Sequence, residues 1–186
     1  MARKIQTKIL ENGNSFSKEL EERVLTMKII KKKKLENFKS FFDRFGPNIL
    51  ILDTETTGFS NKDRIVEIGI FEYNLEKLQI NKRYSKRINP GIKIPQAAVD
   101  VHHITDEMVE NCEKFEDFHK NLYSYLENKM IFCYNAKFDK RMISNEFNRL
   151  GFDLPCCYFF CVMSMTNAAL PGHSLKLHEV HTKIAP

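Results

Sequence analysis

No stretch of this 186-residue chain approaches the roughly 18 consecutive apolar residues that a membrane helix needs. The opening residues, Met1-Ala2-Arg3-Lys4-Ile5-Gln6, carry positive charge with no apolar run behind them, which does not make a secretory signal. Tryptophan is absent, so the aromatic bulk of a core falls to 15 phenylalanines. Cysteine is sparse: Cys112, Cys133, Cys156, Cys157 and Cys161 are odd in number and follow no regular framework. A disulfide-stapled secreted scaffold is thereby excluded, and a reducing, cytoplasmic setting is the expectation. No internal repeat is present.

An apolar fraction of 42% is enough for one real core. The net charge of +5 is unevenly placed. Residues 1–46 hold 12 Lys and Arg against 6 Asp and Glu, whereas residues 47–186 hold 17 against 18. This division predicts a basic, helix-prone N-terminal extension over 1–46 and a folded domain over 47–186. The run Lys31-Lys32-Lys33-Lys34 reads either as an arm for nucleic acid phosphates, through counterion release, or as a solvated stretch.

Gly46-Pro47 closes the extension, and a strand is predicted from Asn48 to Thr54. A second strand is predicted over Arg64–Tyr73. A third, more polar one over Leu78–Ile88 reads as nearer an edge, with a turn at Asn74–Lys77. Phe115, Phe118, Leu122 and Leu126 recur at helical spacing, and Thr105 is a candidate N-cap upstream. Lys129–Tyr134 reads as a short strand, and Phe138–Leu150 as a helix stopped by Gly151. Cys157–Met163 reads as a strand leading into a short helix, with another short helix over His173–Val180. Three meandering strands, then helix, strand and helix, specify an α/β layered domain with a mixed sheet.

The chemistry concentrates at Asp53-Thr54-Glu55-Thr56-Thr57-Gly58, directly after the apolar run Ile49-Leu50-Ile51-Leu52. With a side-chain period of two, Asp53 and Glu55 leave one face of the strand, their Cα atoms about 6–7 Å apart. Two carboxylates that close repel unless a cation lies between them. Hard ions such as Mg²⁺ are held by one or two carboxylates plus water and phosphate oxygens. The competing reading is structural, because Asp after a strand and Thr-Thr-Gly are both good turn chemistry. Asp139, in the first turn of the helix after Tyr134-Asn135-Ala136-Lys137, offers a third carboxylate supported by the helix dipole.

These motifs, with Ile65-Val-Glu-Ile-Gly69, Asn89-Pro90 and Val101-His-His-Ile-Thr-Asp-Glu107, resemble the DEDD 3′–5′ exonucleases over about residues 48–180. Within that family the sequence is most similar to the proofreading epsilon subunits of bacterial DNA polymerase III. The resemblance implies a ribonuclease H-like mixed sheet flanked by helices. It also implies hydrolysis of phosphodiester bonds at nucleic acid 3′ ends, DNA first and RNA not excluded. Asp53, Glu55 and Asp139 would be the catalytic, metal-binding carboxylates for two Mg²⁺ ions, with Mn²⁺ as a substitute. Thr56, Thr57, Gly58, His102, Asn135 and Phe138 would meet the terminal nucleotide, and a DNA polymerase subunit would be the partner. Cys161 would serve packing. His103 stands where the family has Gly, and Tyr134 where it often has His.

One part of the family pattern is missing. The resemblance calls for His-x-x-x-x-Asp near the C-terminus, supplying the general base and the last carboxylate. Here His173 is followed five residues on by His178, His178 by Lys183, and His181 by Pro186. The expectation is a truncated or frame-shifted exonuclease, weak or inactive, since losing a general base removes about 10²–10⁴-fold of rate. A stand-in base from His173, His178 or His181 is a lesser alternative. His178-Glu179-Val180-His181 does not meet the zinc-protease spacing, and the adjacent Cys156 and Cys157 suit a tetrahedral zinc site poorly. The rival from another class is a non-catalytic nucleic-acid-binding or polymerase-associated module.

Overall fold

The computed structural model describes residues 44–169 and 176–177. The N-terminal extension up to residue 43, the Lys31–Lys34 run and His173, His178 and His181 lie outside the described residues.

A five-stranded mixed sheet with order β3-β2-β1-β4-β5 organises the domain. β1 (Asn48–Thr56) is central because its apolar run is buried on both faces. It pairs antiparallel with β2 (Ile65–Asn74), which pairs antiparallel with β3 (Gln79–Arg87). The hairpin turn is built by Asn74, whose Oδ1 accepts from the backbone N–H groups of Glu76 (3.1 Å) and Lys77 (2.7 Å). β3 is polar and mostly exposed, as an edge strand should be.

The chain then crosses the sheet through α1 (Gln96–His102), α2 (Asp106–Val109) and α3 (Phe115–Leu126) before β4 (Met130–Cys133) pairs parallel with β1. Helix α4 (Ala136–Arg149) leads to β5 (Tyr158–Cys161), parallel to β4, and α5 (Val162–Ala169) follows at once. Gly151, at φ +78°, lets the chain leave α4 in a left-handed conformation. α1 escapes the sequence pattern, because its seven residues bury only His102 and so leave no apolar stripe. Thr105 caps the four-residue α2 rather than the longer helix.

The strand period sorts the core into two layers. Leu50 and Leu52 point toward α3 and α4, into a cluster with Phe115, Leu122, Leu126, Ile143 and Phe147. There the Phe115 and Phe147 rings meet edge to face at 5.2 Å. Ile49 and Ile51 point the other way, toward Phe71, Tyr73, Met130, Phe132 and Val162. Each such side chain contributes about 1.5–3 kcal/mol on burial, so the register of β1 is strongly set. That register also decides where Asp53 and Glu55 project.

Candidate active site

β1 outruns its parallel neighbour. Pairing with β4 covers Leu50 and Ile51, whereas β1 continues to Thr56 and β4 turns into α4 after Cys133. A crevice therefore opens beyond the carboxyl ends of two parallel strands, the usual position for a ligand site in an α/β sheet. Here it is a cavity of about 280 Å³ lined by Asp53, Thr54, Glu55, Val101, His102, His103, Tyr134, Asn135, Phe138 and Asp139. Asp53, Glu55 and Asp139 thus border one space, although they come from β1 and α4.

Asp139 enters from the first turn of α4 and is 2% exposed. Its Oδ1 accepts from the Thr54 backbone N–H at 3.1 Å and from the Thr54 hydroxyl at 3.0 Å. The side chain of Thr54 faces α4, while its neighbours Asp53 and Glu55 leave the opposite face of the strand. The pair of bonds therefore sets α4 against the stretch of β1 that carries both other carboxylates. A register shift between Glu55 and Thr56 bends the strand end at this point.

Directly across from Glu55 on β2 stands Glu67, 3% exposed, its Oε1 accepting from the Ser85 hydroxyl at 2.9 Å. Like charges directly opposite one another on a sheet are destabilising, and here Arg87 stands across from Glu67 on β3 to offset that. Among the described residues, no three His, Cys, Asp or Glu side chains close into a preassembled ion cage. The carboxylates instead line an open cavity, which suits an ion that completes its shell with water and phosphate oxygens.

His102 is buried at the end of α1, and His103 caps that helix in a left-handed conformation, φ 61°. His102 Nδ1 accepts from the Ile104 backbone N–H at 3.0 Å, which leaves the ring proton on Nε2. Nε2 is buried and has no hydrogen-bond partner among the described residues. Burial pushes its pKa below the ordinary histidine value, with the Thr56 carbonyl acting in the opposite direction. Burial thus favours the neutral ring, whose Nε2 is enclosed rather than open to the cavity.

Thr56, Thr57 and Gly58 build the loop rather than the cavity wall. The Thr56 hydroxyl donates to the Gly58 carbonyl at 2.7 Å. The Thr57 hydroxyl donates to Asp63 Oδ1 at 3.0 Å and accepts from the Arg64 N–H at 3.0 Å. A Cβ on Gly58 would lie 2.8 Å from the Asp63 carboxyl atoms, so the turn needs glycine for space. Cys161 packs against the core, its thiol donating to the Tyr134 carbonyl at 3.4 Å.

Two residues outside the sequence reading, Phe59 and Arg141, border the site. Phe59 is 81% exposed, yet its ring centre lies 5.7 Å from that of Phe138. Arg141 sits 5.7 Å over the Phe138 ring and donates from Nη2 to the Phe59 carbonyl at 2.7 Å. An exposed phenylalanine held beside a cavity-lining one is a stacking platform for a planar group. The only sequence signal was a large apolar residue immediately after a Thr-Thr-Gly turn. Glu67 belongs to the Ile65-Val-Glu-Ile-Gly69 motif, but its place opposite Glu55 follows from strand register.

Comparison with known proteins follows the same lines. The profile of the RNase_T exonuclease family matches residues 50–183. The chain belongs to the exonuclease family. This exonuclease domain is 31% identical over 138 residues to the 3′-5′ exonuclease DinG of Bacillus subtilis, covering 73% of the chain and 15% of DinG. It is 32% identical over 119 residues to the DNA polymerase III subunit epsilon of Buchnera aphidicola subsp. Schizaphis graminum, covering 61% of the chain and 51% of that protein. The chain thus spans a seventh to a half of these relatives. Among solved structures, Exonuclease X in complex with 5′ overhanging duplex DNA superimposes with a TM-score of 0.59 at 24% identity, covering 73% of this chain and 72% of that one. E. coli Exonuclease I in complex with a dT13 oligonucleotide gives 0.63 at 18%, covering 74% and 35%. These likenesses establish the ribonuclease H-like fold of the exonuclease domain, in agreement with the sheet order. Among the described residues, no helix is long and apolar enough to cross a membrane.

Proposed function

We propose that this exonuclease domain removes nucleotides from DNA 3′ ends, with Asp53, Glu55 and Asp139 holding divalent ions, Mg²⁺ first and Mn²⁺ as a substitute. The observation that carries the reading is the convergence of these three carboxylates on one cavity that also holds His102, Asn135 and Phe138. Ions held by Asp53, Glu55 and Asp139 would supply water activation and charge neutralisation at the phosphate. The chain's own groups do the positioning. Thr54 fixes Asp139, and Phe138 with Phe59 receives the terminal base. His102 and Asn135 line the space for the terminal sugar or phosphate. Thr56, Thr57 and Gly58 act by shaping the loop above the site and through their backbone groups. A DNA polymerase subunit is the proposed partner and the cytoplasm the proposed compartment, by analogy with the epsilon relatives.

The test is release of mononucleotides from a 5′-labelled oligodeoxynucleotide with Mg²⁺ or Mn²⁺. Stepwise shortening that Asp53→Ala abolishes supports the reading. Shortening that survives Asp53→Ala refutes it.

A second reading, a binding module without turnover, is favoured by one observation. No His-x-x-x-x-Asp, which the resemblance calls for as general base and last carboxylate, stands in this sequence. Retained oligonucleotide binding with no shortening under either metal selects this reading.

A further inference from the structure

The β1–β2 loop is gripped by one helix at several points. Arg141 and Arg149 of α4 both donate to its backbone: Arg141 to the Phe59 carbonyl, and Arg149 Nη2 to the carbonyls of Asn61 at 2.7 Å and Asp63 at 2.9 Å. Between them Glu146, 2% exposed, accepts from Arg64 Nε at 2.9 and 3.1 Å and from the Ile65 backbone N–H at 3.1 Å. Arg149 Nη1 closes the network on Glu146 at 3.2 Å. The loop is folded internally as well, since Asp63 accepts from Thr57 and from the Ser60 N–H. α4 is also the helix that carries Phe138 and Asp139 at its first turn. Arg149 lies eleven residues beyond Phe138, about 16 Å along the helix axis.

From this arrangement we infer that Glu146 and Arg149 are positioning residues: an ionic latch, centred on the buried Glu146, that locks the β1–β2 loop to α4 and so sets Phe59 at stacking distance from Phe138. The inference rests on the proposed nucleotide-binding role of that cavity. The physical argument is leverage. Phe59 is 81% exposed and contributes little packing of its own, so its position is inherited from the loop. The loop's carbonyls would be satisfied equally well by water in another conformation. The arginine forks, anchored by a desolvated carboxylate, single out one conformation. α4 then acts as a ruler that carries the third carboxylate, one half of the stacking pair, and the grip on the other half.

The experiment is a double-mutant cycle on the full chain, reading kcat and KM on a 5′-fluorescein oligothymidylate, with thermal unfolding recorded for each variant. Phe59→Ala is expected to raise KM about tenfold through loss of one stacked base. Arg149→Lys keeps a charge beside Glu146 but lacks the second nitrogen that lets arginine hold the carboxylate and the loop carbonyls at once. It should unfold like the parent and still raise KM several-fold with kcat nearly unchanged. In the Phe59→Ala background, Arg149→Lys should add nothing. A parent-like KM for Arg149→Lys overturns the inference, as does a KM loss that adds fully to that of Phe59→Ala. If the parent chain binds the oligonucleotide without cleaving it, the same cycle is read as affinity by fluorescence anisotropy, and the same coupling supports the latch. If the parent neither cleaves nor binds, the nucleotide reading falls and takes the latch with it.

Discussion

Asp139 and Thr54 are 85 residues apart in sequence and joined by two hydrogen bonds to one carboxylate oxygen, from a backbone N–H and a hydroxyl. This pair fastens the first turn of α4 to the overhanging end of β1. The Thr54 N–H bonds to a side chain here, where β4 has already turned away. The prediction separates the two roles of Asp139. Asp139→Ala leaves the buried Thr54 groups without an acceptor and should lower unfolding free energy by about 2–5 kcal/mol. Asp139→Asn keeps an oxygen for Thr54 and should stay within about 1 kcal/mol of the parent, yet lose metal-dependent hydrolysis. Urea unfolding beside a nuclease assay checks both, and an active Asp139→Asn enzyme would remove Asp139 from the ion site.

Gly58 is constrained by space, since its φ is not in the left-handed region. Its missing Cβ would meet the Asp63 carboxyl at 2.8 Å, and Asp63 is held by Thr57 and Ser60. Gly58→Ala should therefore destabilise by about 1–3 kcal/mol, as overpacking does. It should also raise KM by displacing Phe59. Unfolding and steady-state kinetics on the one variant test the two effects together, and an unchanged KM would uncouple the loop from the site.

The Asp63 carboxyl also supplies a pH prediction. Partial burial opposes its ionisation, but hydrogen bonds from Ser60 and Thr57 and the nearby Arg149 outweigh that and hold its pKa below the usual carboxylate value. A depressed folded pKa means that the stabilisation is present above the unfolded value of about 3.9 and is lost as pH falls through the folded one. Asp63→Asn should thus narrow the stability gap between pH 7 and pH 3, measured by chemical unfolding. An identical pH profile in the variant would refute the assignment.

His102 gives the matching case for a base. Burial lowers its pKa, the Thr56 carbonyl opposes this, and His103 adds to it. The folded form resists protonation, so its contribution to stability is complete above about pH 6.5 and is lost as pH falls toward the folded value. A histidine-resolved NMR titration should place His102 below the exposed histidines, with its proton on Nε2. A proton on Nδ1 would refute the hydrogen bond that this atom accepts from the Ile104 N–H.

Exposure makes Phe59 a clean probe. At 81% exposed, Phe59→Ala should leave the unfolding midpoint unchanged while KM rises about tenfold. A fall in stability without a change in KM would make the contact with Phe138 a packing contact.

The central strand was legible in the sequence, because four consecutive apolar residues bounded by turn chemistry admit little else, and its period of two already put Asp53 and Glu55 on one face. The amphipathic spacing of Phe115–Leu126 announces α3, and the run from Phe138 to the Gly151 stop announces α4, which puts Asp139 in a first turn. α1 was silent, since a short helix burying a single histidine carries no periodic signal. Tertiary structure alone decided the rest: that Thr54 takes the Asp139 carboxylate, that Glu67 stands opposite Glu55, that Phe59 stays in the open beside Phe138, and that two arginines far along α4 grip its loop. The Glu55–Glu67 pairing depends on strand register, and the others on contacts across about eighty residues. Local patterning specifies which face a side chain leaves; it carries no term for what waits on the other side.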